Sequence, residues 1–281
     1  MEGSHTALPM IMAAPNGARR TKRDHPALPV TIAETVAAAK SCFEEGAGAI
    51  HAHVRGPDGT HVLDAGLYRE LFAEMRIAVP KMQVQVTTEA AGIYDNKAQR
   101  QLVDDLRPNW VSIAVTEMVP QEADAEVRAV YERARGNGIT IQHILYRTED
   151  MVRFFELVTD GVIPGEQHQL LFVLGRYAGN QESDPSDLEP YLKTFETHPE
   201  GLELDWAVCA FGHKETDCLV SAIRNGGKAR IGLENGLWNR DGRLAADNAD
   251  RVRDLLNALE NERWFEPEKL RPELTRPEAI R

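Results

Sequence analysis

Two histidines one residue apart, His51 and His53 in AIHAHV, and a distant glutamate, Glu234 in ARIGLE, are residue types suited to metal chemistry. Side chains two apart in an extended strand point to one side, so both imidazoles can converge on one point. The same period places Arg230, Gly232 and Glu234 on one face of ARIGLE, with Ile231 and Leu233 on the other. A carboxylate beside two inward imidazoles completes a His2Glu set, and three protein ligands with an open position is the catalytic form of zinc coordination. An isolated HxH pair is equally compatible with hydrogen-bonded core histidines. A carboxylate buried next to it is costly unless neutralised, and a divalent metal neutralises it directly.

These residues need strands to position them, and the chain supplies eight β-rich apolar runs, at 9–14, 49–54, 82–87, 110–115, 140–145, 170–175, 205–210 and 229–234. Amphipathic helical patterns lie between them, among them 32–46, 67–79, 123–138 and 246–260. Gly46 and Gly48 before the second run, and Gly136 and Gly138 before the fifth, read as helix ends. Strict alternation of strand and helix predicts parallel strands with right-handed crossovers, and eight units predict a closed (β/α)8 TIM barrel. No glycine-rich nucleotide loop follows the first run, as a doubly wound sheet would require. Closure brings the eighth strand beside the first, next to the second, so Glu234 can meet His51 and His53 at the C-terminal face where this fold gathers catalytic groups.

Other residues fall on the same face. The fourth strand alternates Val111, Ile113 and Val115 with Ser112, Ala114 and Thr116, and the second set makes a small, hydroxylated inner surface with room for a ligand. Thr87 and Thr88 end the third strand, where hydroxyls could hold a carboxylate, although threonine is also simply favoured in strands. The loop PNGARRTKRDH after the first strand carries Arg19, Arg20, Lys22 and Arg23. Arg19, nearest the strand, is the candidate for a substrate carboxylate, and its neighbours could attract a phosphorylated cofactor.

Composition narrows the class. The chain has 281 residues, with 32 Lys and Arg against 44 Asp and Glu, a formal charge of −12. That balance speaks against nucleic acid or an anionic membrane as partner. Three cysteines, Cys42, Cys209 and Cys218, are an odd number with no metal-site spacing, which fits a reducing compartment. No apolar run approaches the roughly 20 residues of a membrane span, and the start lacks a signal-peptide pattern, so the expectation is a cytoplasmic enzyme. The barrel is expected to occupy 1–281 as one domain, with 1–6 including a Gly-Ser-His cloning remnant and 262–281 a Pro-rich extension.

Seven segments together, APNGARRTKRDHPALPVT, EEGAGAIHAHVRGPDGTHVLD, VQVTTEAAGIY, IQHILY, LLFVLGRYAG, WAVCAFGHKE and GGKARIGLENGLW, resemble the β-keto acid cleavage enzyme family over nearly the whole chain. The resemblance implies condensation of a β-keto acid with acetyl-CoA, giving acetoacetate and the CoA ester of the shortened acid. It also implies zinc held by His51, His53 and Glu234, and a homotetramer. The family's carboxylate site maps onto Thr87, the backbone around Ala90, and Ser112, and its required arginine onto Arg230.

Two departures follow from the same comparison. Where the family's aminohexanoate-cleaving member has a glutamate for a substrate amine, this chain has Arg19, which favours an anionic or polar side chain such as that of a β-keto diacid. Where that member has an aspartate paired with the arginine, this chain has Asn235. An amide is no general base, which leaves Glu89, Glu215 and His143 as alternatives, or Arg230 and the metal alone. Rival readings are a zinc-dependent barrel hydrolase, which would carry HxH on its first strand with further histidines, and a non-catalytic metal-stabilised binding protein on the same scaffold.

Overall fold

The computed structural model describes residues 7–120, 125–176 and 180–265. The expected remnant at 1–6 and residues 266–281 of the expected extension lie outside the described residues. Eight parallel strands close in chain order: β1 (Ile11–Ala13), β2 (Ala49–Ala52), β3 (Gln83–Thr87), β4 (Trp110–Ala114), β5 (Thr140–Leu145), β6 (Gln167–Leu174), β7 (Glu203–Ala210) and β8 (Lys228–Ile231). Strand β1 closes the ring, with Met12 opposite Ala49 of β2 and opposite Arg230 of β8. The architecture is the expected TIM barrel.

The two-residue period sorts the side chains into layers. Ile50, Val86, Ile113, Phe172, Val208 and Ile231 face outward into the core shared with the helices. Each fully buried aliphatic or aromatic group of that kind contributes roughly 1.5–3 kcal/mol, so this outer layer carries most of the stability and leaves the barrel interior free to hold polar residues. Inside, Met12, Trp110, Leu171 and Cys209 share the space with fully buried Gln85 and Gln142, a departure from the branched aliphatics that usually fill this fold.

Helix ends follow local chemistry. Thr31 and Glu34 form a reciprocal capping box at the start of helix Ile32–Glu45, and Gly46 ends it at φ +117°. Asp64 and Asp247 cap helices Ala65–Ala78 and Asn248–Glu260 by accepting backbone N–H bonds. None of the helices among the described residues is long and apolar enough to cross a membrane.

Several strands end earlier than expected, and two of these ends bear on the site. Strand β4 stops at Ala114, and Val115–Met118 coils into a short helix, so Thr116 lies on that helix, exposed, and not on the inner face. Buried Val115 and Met118, three apart, give this turn the helical period that pulls it from the strand. Strand β8 stops at Ile231, three residues short of Glu234.

Candidate active site

Strand β2 delivers His51 from its inner face and His53 from just past its end, both buried. Their Nε2 atoms are 3.2 Å apart, and Glu234 Oε2 lies 3.8 Å from the first and 3.7 Å from the second. The three ligand atoms fall within 4.8 Å of one another. The pairing inferred from strand period therefore holds, but Glu234 arrives by another route.

Beyond Ile231 the chain turns at Gly232, φ +153°, where a Cβ would collide with the Ala14 carbonyl, so the expected strand face Arg230, Gly232, Glu234 does not persist. Side chains replace the missing ladder. Gly232 N donates to Glu215 Oε1 at 3.2 Å, Leu233 N to Asn248 Oδ1 at 2.9 Å, and Glu234 N to the Ala14 carbonyl at 3.1 Å. Arg20 closes the turn from the opposite side, donating to the carbonyls of Leu233 at 2.5 Å and Asn235 at 3.1 Å.

The donor set fits a divalent cation. Glu234 Oε1 accepts from Arg230 Nη2 at 3.3 Å, whereas Oε2, buried, has no hydrogen-bond partner. An orphaned carboxylate oxygen facing two imidazoles is costly without a cation. Burial holds both histidines well below their ordinary pKa, aided by Arg230 near His51 and by His61 near His53, so both are neutral at pH 7, the metal-binding form. The tautomer of His53 follows from its neighbours. His61 Nε2 donates to the Glu89 carbonyl at 2.8 Å, which leaves its Nδ1 as the acceptor for His53 Nδ1–H at 3.4 Å and frees His53 Nε2.

Arg230, Arg19, Arg176, Thr87 and Glu89 share a cavity wall with His51 and Glu234. Burial opposes the charge of Arg230, but Cys209 and Glu234 beside it raise its pKa above the ordinary value. Two of its nitrogens, Nε and Nη1, are buried without a partner. Arg19 is exposed at the rim. Two other loop cations are engaged elsewhere, Arg20 on the turn and Lys22 with Glu34 at 2.9 Å.

Several sequence expectations land differently. Ser112 is buried on β4 and weakly bonded to the Val86 carbonyl at 3.4 Å, away from the cavity wall. Ala90 N, expected to meet a substrate carboxylate, donates to Glu117 Oε2 at 2.9 Å, because the short helix after β4 brings that glutamate under it. Asn235 is fully buried with neither side-chain atom bonded, and it is not in the cavity wall. Glu215 sits behind the turn, paired with buried Arg251 at 2.9 Å. His143 faces the helices, ringed by Tyr131 and Phe154. Of the three alternative bases only Glu89 reaches the cavity, with Oε2 at 3.8 Å from His53 Nε2 and Oε1 bonded to Arg176 at 3.0 Å. Burial first, then Glu234, raises its pKa. Arg176 was not singled out from sequence, since nothing in LLFVLGRYAG marks which loop after a strand turns inward.

The model of the beta-keto acid cleavage enzyme family matches residues 9–271. The chain belongs to that family. Two curated relatives match it over most of their own length. A 3-keto-5-aminohexanoate cleavage enzyme from Fusobacterium nucleatum is 27% identical over 265 residues, covering 86% of this chain and 88% of its own. A 3-oxoadipate:acetyl-CoA acetyltransferase from Cupriavidus necator is 26% identical over 255 residues, covering 85% and 84%. Among solved structures, apo ObcA superposes with a TM-score of 0.65 at 16% identity, over 84% of this chain and 62% of its own, a likeness of fold. In this member of the family, an acidic chain carries a cavity lined in part by arginines, beside a triad that could hold a metal ion.

Proposed function

We propose that this enzyme condenses an anionic β-keto acid with acetyl-CoA. The bond between the keto carbon and its CH2 breaks, and the CH2–carboxylate fragment joins the acetyl carbon, giving acetoacetate and the CoA ester of the shortened acid. One observation carries the reading: His51, His53 and Glu234 converge, and the cavity that His51, Glu234 and Arg230 line also has Arg19 and Arg176 in its wall.

His51, His53 and Glu234 would hold a zinc ion, which when bound supplies Lewis acidity to polarise a carbonyl. Arg230 keeps two unpartnered donors, Nε–H and Nη1–H, on a fixed planar guanidinium, and offers them to the substrate carboxylate. Thr87 and Arg176 support the chain of the substrate, and Arg19 at the rim pairs with its distal anionic group. Glu89 moves the proton through Oε2, the cavity carboxylate that is not a ligand, which compensates for Asn235. Three buried, unpaired cysteines fit a cytoplasmic location, and the family resemblance suggests a homotetramer.

Zinc-loaded enzyme with acetyl-CoA and a panel of β-keto acids, read by mass of the acyl-CoA products, tests this. Acetoacetate and a new acyl-CoA are expected from 3-oxoadipate, and both should vanish in His51→Ala. Cleavage of the keto acid by water into two carboxylic acids, without acetyl-CoA, would point to a hydrolase instead.

A further inference from the structure

The interior of this barrel contains a row of amides where branched aliphatics normally pack. His51 on β2 and Gln85 on β3 are register partners, and His51 Nδ1 lies 2.7 Å from Gln85 Oε1. Gln85 Nε2 donates to Gln142 Oε1 on β5 at 2.8 Å, and Gln142 Nε2 donates to the Leu170 carbonyl on β6 at 3.3 Å. Both glutamines are completely buried. The row therefore runs from a ligand strand across the barrel to a backbone group.

Its direction is fixed at the far end. A backbone carbonyl can only accept, so the Gln142 atom facing Leu170 must be Nε2, which turns its Oε1 toward Gln85. Gln85 must then present Nε2 to Gln142 and Oε1 to His51. An amide oxygen accepts only, so His51 carries its proton on Nδ1 and leaves the Nε2 lone pair facing His53 Nε2 and Glu234 Oε2. Were Gln142 unable to accept, Gln85 could rotate its amide, offer N–H to His51, and stabilise the tautomer whose Nε2 is already protonated.

We propose that Gln142 is a positioning residue that acts through Gln85 to hold His51 in the Nδ1–H tautomer, so zinc affinity depends on a side chain three strands away from any ligand. This rests on the zinc site proposed above. Partners of this kind, which orient a ligand's ring, typically change metal affinity by roughly 10- to 100-fold when lost.

The test measures zinc dissociation constants by chelator competition, thermal melting of the metal-free protein, and the His51 tautomer from ring 15N shifts of metal-free protein, assigned against His51→Ala. Wild type should show a protonated Nδ1. Gln142→Leu should weaken zinc by about 10-fold or more, with a mixed or reversed His51 tautomer. Gln142→Glu, protonated by its burial, can still accept from Gln85 and donate to Leu170, and should restore both affinity and tautomer. A merely structural role would lower the melting temperature of Gln142→Leu without moving the tautomer, and that result overturns the proposal. A wild type that takes up no zinc overturns the metal reading and the proposal with it. Zinc binding accompanied by a proton on His51 Nε2, or undiminished in Gln142→Leu, overturns the relay alone.

Discussion

Gly17 makes room for Glu234: a Cβ on Gly17 would sit 2.6 Å from the Cγ of that glutamate, and Gly17 itself adopts φ +63°. The loop after β1 and the turn after β8 are thus fitted to one another at the third residue of the candidate metal site. Gly17→Ala adds a left-handed backbone cost of roughly 1–2 kcal/mol and displaces the carboxylate. The expected outcome is a melting temperature lower by several degrees and zinc affinity lower by at least about tenfold. A variant that loses stability but binds zinc as wild type would show that Glu234 moves aside freely.

The turn that carries Glu234 is braced from behind by an ion pair without solvent contact, Glu215 with Arg251. Burial pushes the Glu215 carboxyl up to about 7 from 4.5, against the pull of Arg251. A carboxyl whose folded pKa exceeds its unfolded value binds more protons in the folded chain, so its contribution to stability falls as pH rises from 4.5 to about 7. Glu215→Gln has no such proton, and the melting temperature of wild type relative to this variant should fall across that window. A relative melting temperature that instead rises with pH would mean that the attraction of Arg251 outweighs burial.

Arg19 and Arg176 stand on loops after different strands, β1 and β6, and both belong to the cavity wall. Arg19 is the exposed one, so it can pair with a substrate group at modest desolvation cost. Arg19→Ala should raise KM for 3-oxoadipate by roughly tenfold, the loss of one charge-assisted hydrogen bond of about 1.5 kcal/mol, with kcat little changed. Arg19→Glu should reverse the order of preference between a diacid and an aminated keto acid. Steady-state kinetics on both substrates decide it, and an unchanged preference in Arg19→Glu would remove Arg19 from specificity.

Strand period was enough to bring His51 and His53 together, because a residue on a short strand and one just past its end share a backbone that fixes their separation. It was enough for Glu234 only by accident of proximity, since the strand breaks at Gly232 and tertiary bonds from Asn248, Glu215 and Arg20 decide where the next two residues go. The Arg20 bond joins positions 213 residues apart and the other two span 17 and 15, and no local pattern encodes them. Thr116 was misplaced for the converse reason: a hydroxyl on an alternating strand and one on a helical turn look alike until Val115 and Met118 are seen to be buried together. The glutamine row was legible as residues but not as a row, because alternation shows that Gln85 and Gln142 can face inward and only barrel closure brings them within 2.8 Å.

The same distinction decides between Glu89 and Asn235 as the residue that matters to proton transfer. Asn235 follows Glu234 of the candidate metal site, yet it is completely buried and not part of the cavity wall, and the partners of Arg230 are Cys209 and Glu234. Glu89 is remote in sequence and has its carboxylate at the cavity wall beside His53. Glu89→Gln keeps the size of the side chain and removes its capacity to take a proton, so kcat should drop by roughly 10²- to 10⁴-fold while zinc content holds. Asn235→Ala should leave kcat within a few-fold of wild type and act mainly on stability, with a buried cavity left by the truncated side chain. If the two variants exchange these outcomes, the position next to the third ligand carries the chemistry, and the turn after Gly232 must open toward the cavity when substrate binds.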